Sequence, residues 1–365
     1  MTLLLGKPRL HGVVAAIAAA ALLAGCGSSD DGADSTAAST TSAGTTTTAA
    51  ASSDVPYDGP EARLANAYAE PRVEEGLTFR LGWLEPAASN QFVHTVVESG
   101  VAEAERLGAD VTVLDAGLNV DRQVTQCNQL VAQRVDAMVV YAVDPAALTP
   151  CLRAATAAGI PIVGQDTPPV AGEPLMPGYL SAVLQGVDRG RYLQMQDVAA
   201  QTPSVEFATL GTALPVPLLR YSVDQAREWG ERFGLRFAGN VDAQDANPET
   251  AATATNTILS RHPDVRAIIA FNDPAAQTAA TTVRAAGRTD VRVYGFSGES
   301  AAVEMVEAGQ LAGTVLLNAP EVGIQMARGA YNALTRQNLP LPEQIVPEPT
   351  LVTGDNAGSV EALGG

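Results

Sequence analysis

The sequence predicts an α/β protein built as two Rossmann-like lobes, and three observations carry that expectation. From Thr78 onward, short apolar runs alternate with segments whose apolar residues recur at helical spacing, as in parallel sheets made of βαβ units. The series runs twice in succession. At 365 residues the chain also exceeds one typical domain, which leaves room for two lobes and non-globular ends.

Phe79 to Leu84 reads as the first strand. Val93, Val96, Val97, Val101, Ala104 and Leu107 then fall on one face of a helix from about Asn90 to Leu107, which Gly108 ends. Val111 to Leu114 is the next strand and Arg122 to Arg134 the next helix. Ala137 to Tyr141 is a third strand leading into Asp144-Pro145 and another helix, and Ile160 to Val163 completes the set. The second set opens with a helix from about Gly190, a strand near Val205 to Leu210, a helix near Asp224 to Phe233 and a strand around Leu235. Helix Pro248 to Arg261, strand Ala267 to Phe271, helix Pro274 to Ala286 and strand Val291 to Phe296 follow.

Ahead of this region, Lys7, Arg9 and His11 precede an apolar run from Val13 to Leu23, closed by Leu23-Ala24-Gly25-Cys26. That is export-signal architecture, and the run is short for a permanent span. The four closing residues resemble the lipobox of bacterial lipoproteins. The resemblance implies that residues 1–25 are a signal peptide and that Cys26, carrying a diacylglycerol thioether, anchors the chain to the bilayer. An ordinary cleaved signal or a short anchor is the alternative. Residues 27 to 55 are almost entirely Gly, Ser, Thr, Ala and Asp, which predicts a flexible tether. Pro-Glu-Ala-Arg-Leu-Ala-Asn-Ala-Tyr (60 to 68) then reads as a short helix opening at a proline, so that 26–76 form one non-lobe segment.

Apolar residues make up 46% and charged residues 17%, a globular balance. The formal net charge is -18, and the only lysine, Lys7, lies in the signal. So acidic a surface excludes nucleic acid as a partner and is repelled by anionic headgroups, which leaves covalent attachment as the route to a membrane.

Ligands of open α/β sheets bind beyond the carboxyl ends of the strands. Asn90, Gln91 and Phe92, then Tyr141, Asp166, Asn272 and Asp273, Ser297 and Glu299 all follow predicted strands. Four phrases add a family. They are Ser-Gly-Val-Ala-Glu-Ala-Glu-Arg-Leu-Gly (99 to 108), Ala-Ala-Gly-Ile-Pro-Ile-Val (157 to 163), His-Pro-Asp-Val-Arg-Ala-Ile-Ile-Ala-Phe-Asn-Asp (262 to 273) and Val-Tyr-Gly-Phe-Ser-Gly (293 to 298). In order and spacing the chain from Thr78 to about Val352 resembles the type I periplasmic binding proteins, in particular the ribose-binding group.

The resemblance implies two lobes joined by three hinge crossings, near Leu184, Leu317 and Leu339. Lobe one would hold 77–184 plus 318–339, and lobe two 185–317 plus the tail 340–365. It implies a cleft that closes over ligand. Asp166 matches the family's hydroxyl-accepting aspartate, Arg220 its second-lobe arginine and Asn272 its asparagine, while Phe92, with Asn90 and Gln91, stands near its stacking aromatics. Thr167 replaces an arginine, Ser297 an aspartate, Leu317 a glutamine and Tyr141 an asparagine. The aromatic before Pro248 is missing, with Ala246 nearest. An unsatisfied buried hydroxyl costs roughly 1–3 kcal/mol, so these losses predict weakened pentose binding and a ligand less hydroxylated than ribose; a polyol, deoxysugar, aromatic or amphipathic small molecule fits the substitutions as well as a free sugar does.

Several residues carry two readings. Asp273 either caps the helix at Pro274 or meets ligand. Phe296 is cleft or core, Trp83 the same, whereas Trp229 reads as structural and His94 as a surface or core histidine. Cys127 and Cys151 fall in consecutive helices on one face of lobe one and predict a disulfide in an oxidising compartment, the alternative being two reduced, buried thiols. No metal-ligand spacing surrounds His94 or His262, no phosphate-cradling loop with a lysine occurs, and Gly295-Phe296-Ser297-Gly298 lacks the second glycine of a nucleophile elbow. Neither catalysis nor a cofactor is expected.

Together these features predict a monomeric, extracytoplasmic solute-binding lipoprotein. It would capture a sugar or related small molecule and deliver it to the permease of an ABC importer and, through it, a cytoplasmic ATPase. The alternative is a sensor that presents the ligand to a membrane receptor kinase.

Overall fold

The computed structural model describes residues 54–362. The predicted signal, Cys26 and the tether as far as residue 53 lie outside the described residues.

Two six-stranded sheets form the frame. In the first, the order is β11 (Gln344–Ile345), β5 (Ser181–Val183), β4 (Ile162–Gln165), β3 (Ala137–Tyr141), β1 (Phe79–Glu85), β2 (Ala109–Asp115), and every pairing is parallel. In the second it is β12 (Thr350–Thr353), β10 (Gly313–Leu316), β9 (Arg292–Tyr294), β8 (Val265–Ala270), β6 (Glu206–Thr212), β7 (Arg236–Ala243). Only β12 runs antiparallel there.

Helices cover both faces of each sheet, which is why the central strands read as unbroken apolar runs. Along β3, Ala137, Val139 and Tyr141 face the layer of α1 (Gln91–Arg106) and α9 (Ala319–Thr335). Met138 and Val140 face that of α2 (Val120–Gln133) and α3 (Pro145–Ala157). The second sheet divides in the same way: Ala208, Leu210, Ile268 and Ala270 point to one core, and Phe207, Ala267, Ile269 and Tyr294 to the other. In the α2–α3 layer Cys127 and Cys151 are joined by a disulfide, with Cα atoms 6.2 Å apart.

The chain passes between the sheets three times. Leu184 to Gly186 link β5 to α4 (Val187–Gln201), Leu317 and Asn318 link β10 to α9, and 346–349 link β11 to β12. The last link lies later than the crossing expected near Leu339. Gln344 and Ile345 pair with Ala182 and Val183, so 340–345 stay with the first sheet. A two-residue strand gives no periodic signal, which is why it escaped the sequence.

Other elements differ from expectation in extent. The helix α5 (Pro217–Arg232) begins well before Asp224, because Leu218, Ser222, Ala226 and Trp229 continue one buried face back to Pro217 at its first turn. β7 runs to Ala243, and β5 and α8 (Ser300–Glu307) were not foreseen.

The segment before β1 packs as a strap along the hinge side. Among the described residues its only helix is a 3₁₀ turn over Pro60–Arg63. At its start the Tyr57 hydroxyl donates to Asp188 Oδ2 at 2.5 Å, and Trp229 Nε1 donates to Asp188 Oδ1 at 2.8 Å, both within the second lobe. Glu61 then accepts from the backbone N–H groups of Asp188 (3.3 Å) and Arg189 (3.0 Å), capping a helix whose own N-cap is Gly186. Ala65 bridges to Ile345 beside β11. Tyr68 ends buried in the first lobe, its N–H on Gln325 Oε1 and its hydroxyl 2.6 Å from Ser181 Oγ.

Candidate functional site

The carboxyl ends of strands from both sheets open on one cavity of about 440 Å³. Pro86, Ser89, Asn90, Gln91 and Phe92 reach it from the end of β1, Tyr141 from β3 and Gln185 from β5. Opposite them stand Leu214, Val216, Leu218, Leu219 and Ser222 between β6 and α5, then Asn247 after β7, Phe271 and Asn272 after β8, Phe296 and Ser297 after β9, Glu299 at the mouth of α8, and Leu317 after β10. Phe92 shares one apolar cluster with Val216, Leu218, Phe296 and Leu317, so the two rims meet around the cavity.

Local structure sets the polar groups. Asn90 caps α1, accepting from Val93 N–H at 3.0 Å, and Asn272 caps α7 (Asp273–Ala285), accepting from Ala275 N–H at 3.0 Å. Both side chains line the cavity, and with Oδ1 engaged in the cap each still has an amide N–H₂ able to donate. Tyr141 is held by the buried Gln123, which donates to its carbonyl and accepts from Val143 N–H, both at 2.8 Å. The Tyr141 hydroxyl accepts from Gln185 Nε2 at 3.1 Å.

Asp273 does neither of the two things foreseen for it. Asn272 takes the cap, and the Asp273 carboxylate accepts from the N–H groups of Gly298 and Glu299, each at 2.8 Å, and from Thr314 Oγ1 at 2.6 Å. It thereby fixes the loop that carries Ser297 (φ 139) and Gly298 (φ 80), a left-handed stretch that demands an anchor. Burial raises its carboxyl to about 6 against those three donors.

Arg191 lies behind this wall. Its guanidinium donates to Ser222 Oγ (2.9 Å), Gln194 Oε1 (2.5 Å) and the Ala270 carbonyl (3.0 Å) and stacks 4.0 Å from the Phe296 ring. With no carboxylate among those partners, burial lowers it to about 9. Glu299 is the only ionisable acid or base on the cavity wall among the described residues, Tyr141 apart, and burial, then the neighbouring Asp273, raise it to about 7.

Of the residues singled out from sequence, Asn90, Gln91, Phe92, Tyr141, Asn272, Phe296, Ser297 and Leu317 line the cavity. Asp166, Thr167 and Arg220 do not, and an Asp166–Arg220 pair facing across the cleft is not what the structure contains. The Asp166 carboxylate accepts from the backbone N–H of Gln185 (2.9 Å) and from its side chain, so Gln185 stands between it and the cavity. Burial raises Asp166 to about 7, with the Gln185 bonds opposing. Thr167 turns its hydroxyl to the Gln165 carbonyl. Arg220 falls on the outer face of α5, its side chain 65% exposed and its Nε 3.4 Å from Asp224. That phase follows from the early start of α5, which gives the cavity to Leu218, Leu219 and Ser222. Trp83 and Trp229 are core residues. Sequence reading passed over Gln185, Asn247 and the apolar run Leu214 to Leu219; the run was legible as residues that follow a strand.

A cavity between two α/β lobes, walled by strand ends from both, defines a bilobal ligand-binding protein. The chain belongs to the periplasmic binding protein domain family, whose profile matches residues 81–338. The ribose import binding protein of Escherichia coli K12 is 26% identical over 251 residues, spanning 67% of this chain and 80% of that one. The D-apiose import binding protein of Paraburkholderia graminis is 25% identical over 292 residues, spanning 76% and 88%. Among solved structures, an ABC transporter solute-binding protein of Mycobacterium smegmatis with bound glycerol superposes with a TM-score of 0.69 at 24% identity, covering 79% of this chain and 99% of that one.

Proposed function

We propose that this protein is the extracytoplasmic solute-binding component of an ABC importer, capturing a sugar or sugar-like small molecule between its lobes. The observation that carries the reading is a cavity walled by strand ends of both lobes, in a chain whose relatives are named for import of ribose and D-apiose. Amides and hydroxyls from both lobes, set among the apolar run Leu214 to Leu219 and the rings of Phe92 and Phe296, suit a solute with few hydroxyls and one apolar side. Asn90, Gln91, Tyr141, Asn272 and Ser297 would hold the polar edge, and Phe92, Phe296 and Leu317 the apolar one. Residues 1–25 direct export, Cys26 carries the lipid anchor, and the tether keeps a monomeric lobe pair close to its permease and the cytoplasmic ATPase. The acidic composition supports a covalent rather than an electrostatic hold on the membrane.

A thermal-shift panel of pentoses, polyols and deoxysugars tests the binding reading, since a ligand at 100 times its Kd stabilises by about 2.7 kcal/mol. Phe92→Ala and Asn272→Ala should abolish the shift, and Arg220→Ala should leave it intact. A protein that no member of the panel stabilises would overturn the reading. Metabolic labelling with a fatty acid, lost in Cys26→Ser, tests the anchor.

A further inference from the structure

Glu299 has no structural employment. It occupies the N-cap position of α8 without capping it, and its Oε1 has no hydrogen-bond partner among the described residues. Yet it is 7% exposed, its Oε1 is buried, and the side chain lines the cavity. A buried polar group without a partner carries a desolvation penalty that a protein relieves with a hydrogen bond. Here the side chain borders the cavity. Among the described residues no lysine, arginine or histidine lines that cavity, so no cation of the wall neutralises Glu299, and a donor on the solute can supply the bond its Oε1 lacks.

We propose that Glu299 is the specificity-determining carboxyl of the cleft: it accepts a hydrogen bond from a hydroxyl or ammonium donor on the bound solute and turns away solutes that carry a carboxylate or phosphate. This rests on the cleft being the solute site. Its position is set by Asp273, which grips the backbone N–H of Glu299 itself and that of Gly298. An anion brought into the cleft would meet Glu299 with Asp273 behind it, and the one nearby cation, Arg191, is turned away onto Ser222, Gln194 and Ala270. A donor meets an acceptor already stripped of water, where a charge-assisted bond is strongest.

The other titratable groups around the cleft are Asp273 on α7, Arg191 on α4, Tyr141 across the cavity and Asp166 behind Gln185; Glu304 and Glu307 on α8 are exposed. Because burial holds Glu299 protonated up to about 7, affinity for a donor solute should rise between pH 6 and 8 as the carboxylate forms. Glu299→Gln removes that titration and leaves the other groups in place, so it assigns the pH dependence.

The test is calorimetric titration of wild type and Glu299→Gln with D-ribose, xylitol, D-glucose, D-glucosamine, D-ribonate and D-glucuronate at pH 6 and 8. The expected result is binding of neutral or amino solutes, with the acids bound far more weakly. Glu299→Gln should bind roughly ten-fold or more weakly at pH 8 and show a clearly smaller change in affinity between pH 6 and 8 than wild type. Glucosamine ahead of glucose would identify the donor as ammonium, and ribose or xylitol ahead of both as hydroxyl. Equal affinity and equal pH dependence in Glu299→Gln, or acids bound as tightly as their neutral counterparts, would overturn the proposal while leaving the cleft intact. Binding of none of the six would bring down the cleft reading and this one together.

Discussion

Two buried glutamates, one on each side of the hinge, show how the same side chain serves opposite ends. Glu61 in the strap is 6% exposed and Glu299 in the cleft 7%. Burial is the leading cause that raises both, Glu61 to about 8 and Glu299 to about 7. They differ in partners. Glu61 holds two N–H groups at the start of α4, next to the Tyr57–Asp188–Trp229 chain, whereas Glu299 Oε1 has no hydrogen-bond partner among the described residues. A buried acid that completes the fold cannot also greet a solute, and one left incomplete can. On the hinge side the polar groups are used up internally; on the cleft side they are held in place and left open.

That contrast breaks if the strap is dispensable, and its largest test is Tyr68→Ala. The ring packs against Gly329 of α9, where an added Cβ would come within 2.9 Å of it, and the hydroxyl and N–H bind Ser181 and Gln325. Losing a buried aromatic with those bonds should cost about 3–5 kcal/mol, read as a lower denaturation midpoint in urea at unchanged slope. A loss below about 1 kcal/mol would mean that the strap only rests on the first lobe.

A smaller effect is expected from Glu61→Ala, about 1–3 kcal/mol, because two helix N–H groups lose their acceptor in a buried place. Tyr57→Phe should follow at about 1 kcal/mol, the hydroxyl to Asp188 being lost with the ring retained. If Glu61→Ala proved neutral, the partners of Glu61 would not distinguish it from Glu299.

How far the sequence disclosed all this depends on the length of the signal. The βα alternation announced two doubly wound sheets because β1, β3, β6 and β8 are long enough, and buried enough on both faces, to stand out as apolar runs. The two-residue β11 and three-residue β5 left no such trace, and with them went the position of the last link. Most cleft residues were legible as those that follow a strand. Asp166 and Arg220 were misplaced because a matched position fixes a Cα and not the side chains around it: Gln185 intervenes before one, and an early helix start rotates the other outward. The use of Glu61 was not readable at all, since its partners lie more than 120 residues away.

The smallest and sharpest test is the stability of Glu299→Gln without solute. A carboxyl raised from 4.5 to about 7 in the fold favours its protonated form there, so its contribution is fully present below pH 4.5 and is lost as pH rises through about 7. Wild type should therefore lose stability between pH 5 and 8 relative to Glu299→Gln. Within about 1 kcal/mol of each other at pH 5, the two should diverge until the variant is the more stable at pH 8, where wild type buries an unpaired charge. Glu61→Gln also removes a raised carboxyl, but it leaves one helix N–H without its acceptor, so it should remain below wild type at pH 5. Melting both variants at the two pH values separates an acid that builds the protein from one that waits for a partner. A Glu299→Gln protein clearly less stable than wild type at both would assign Glu299 to the fold and leave the cleft without its charged group.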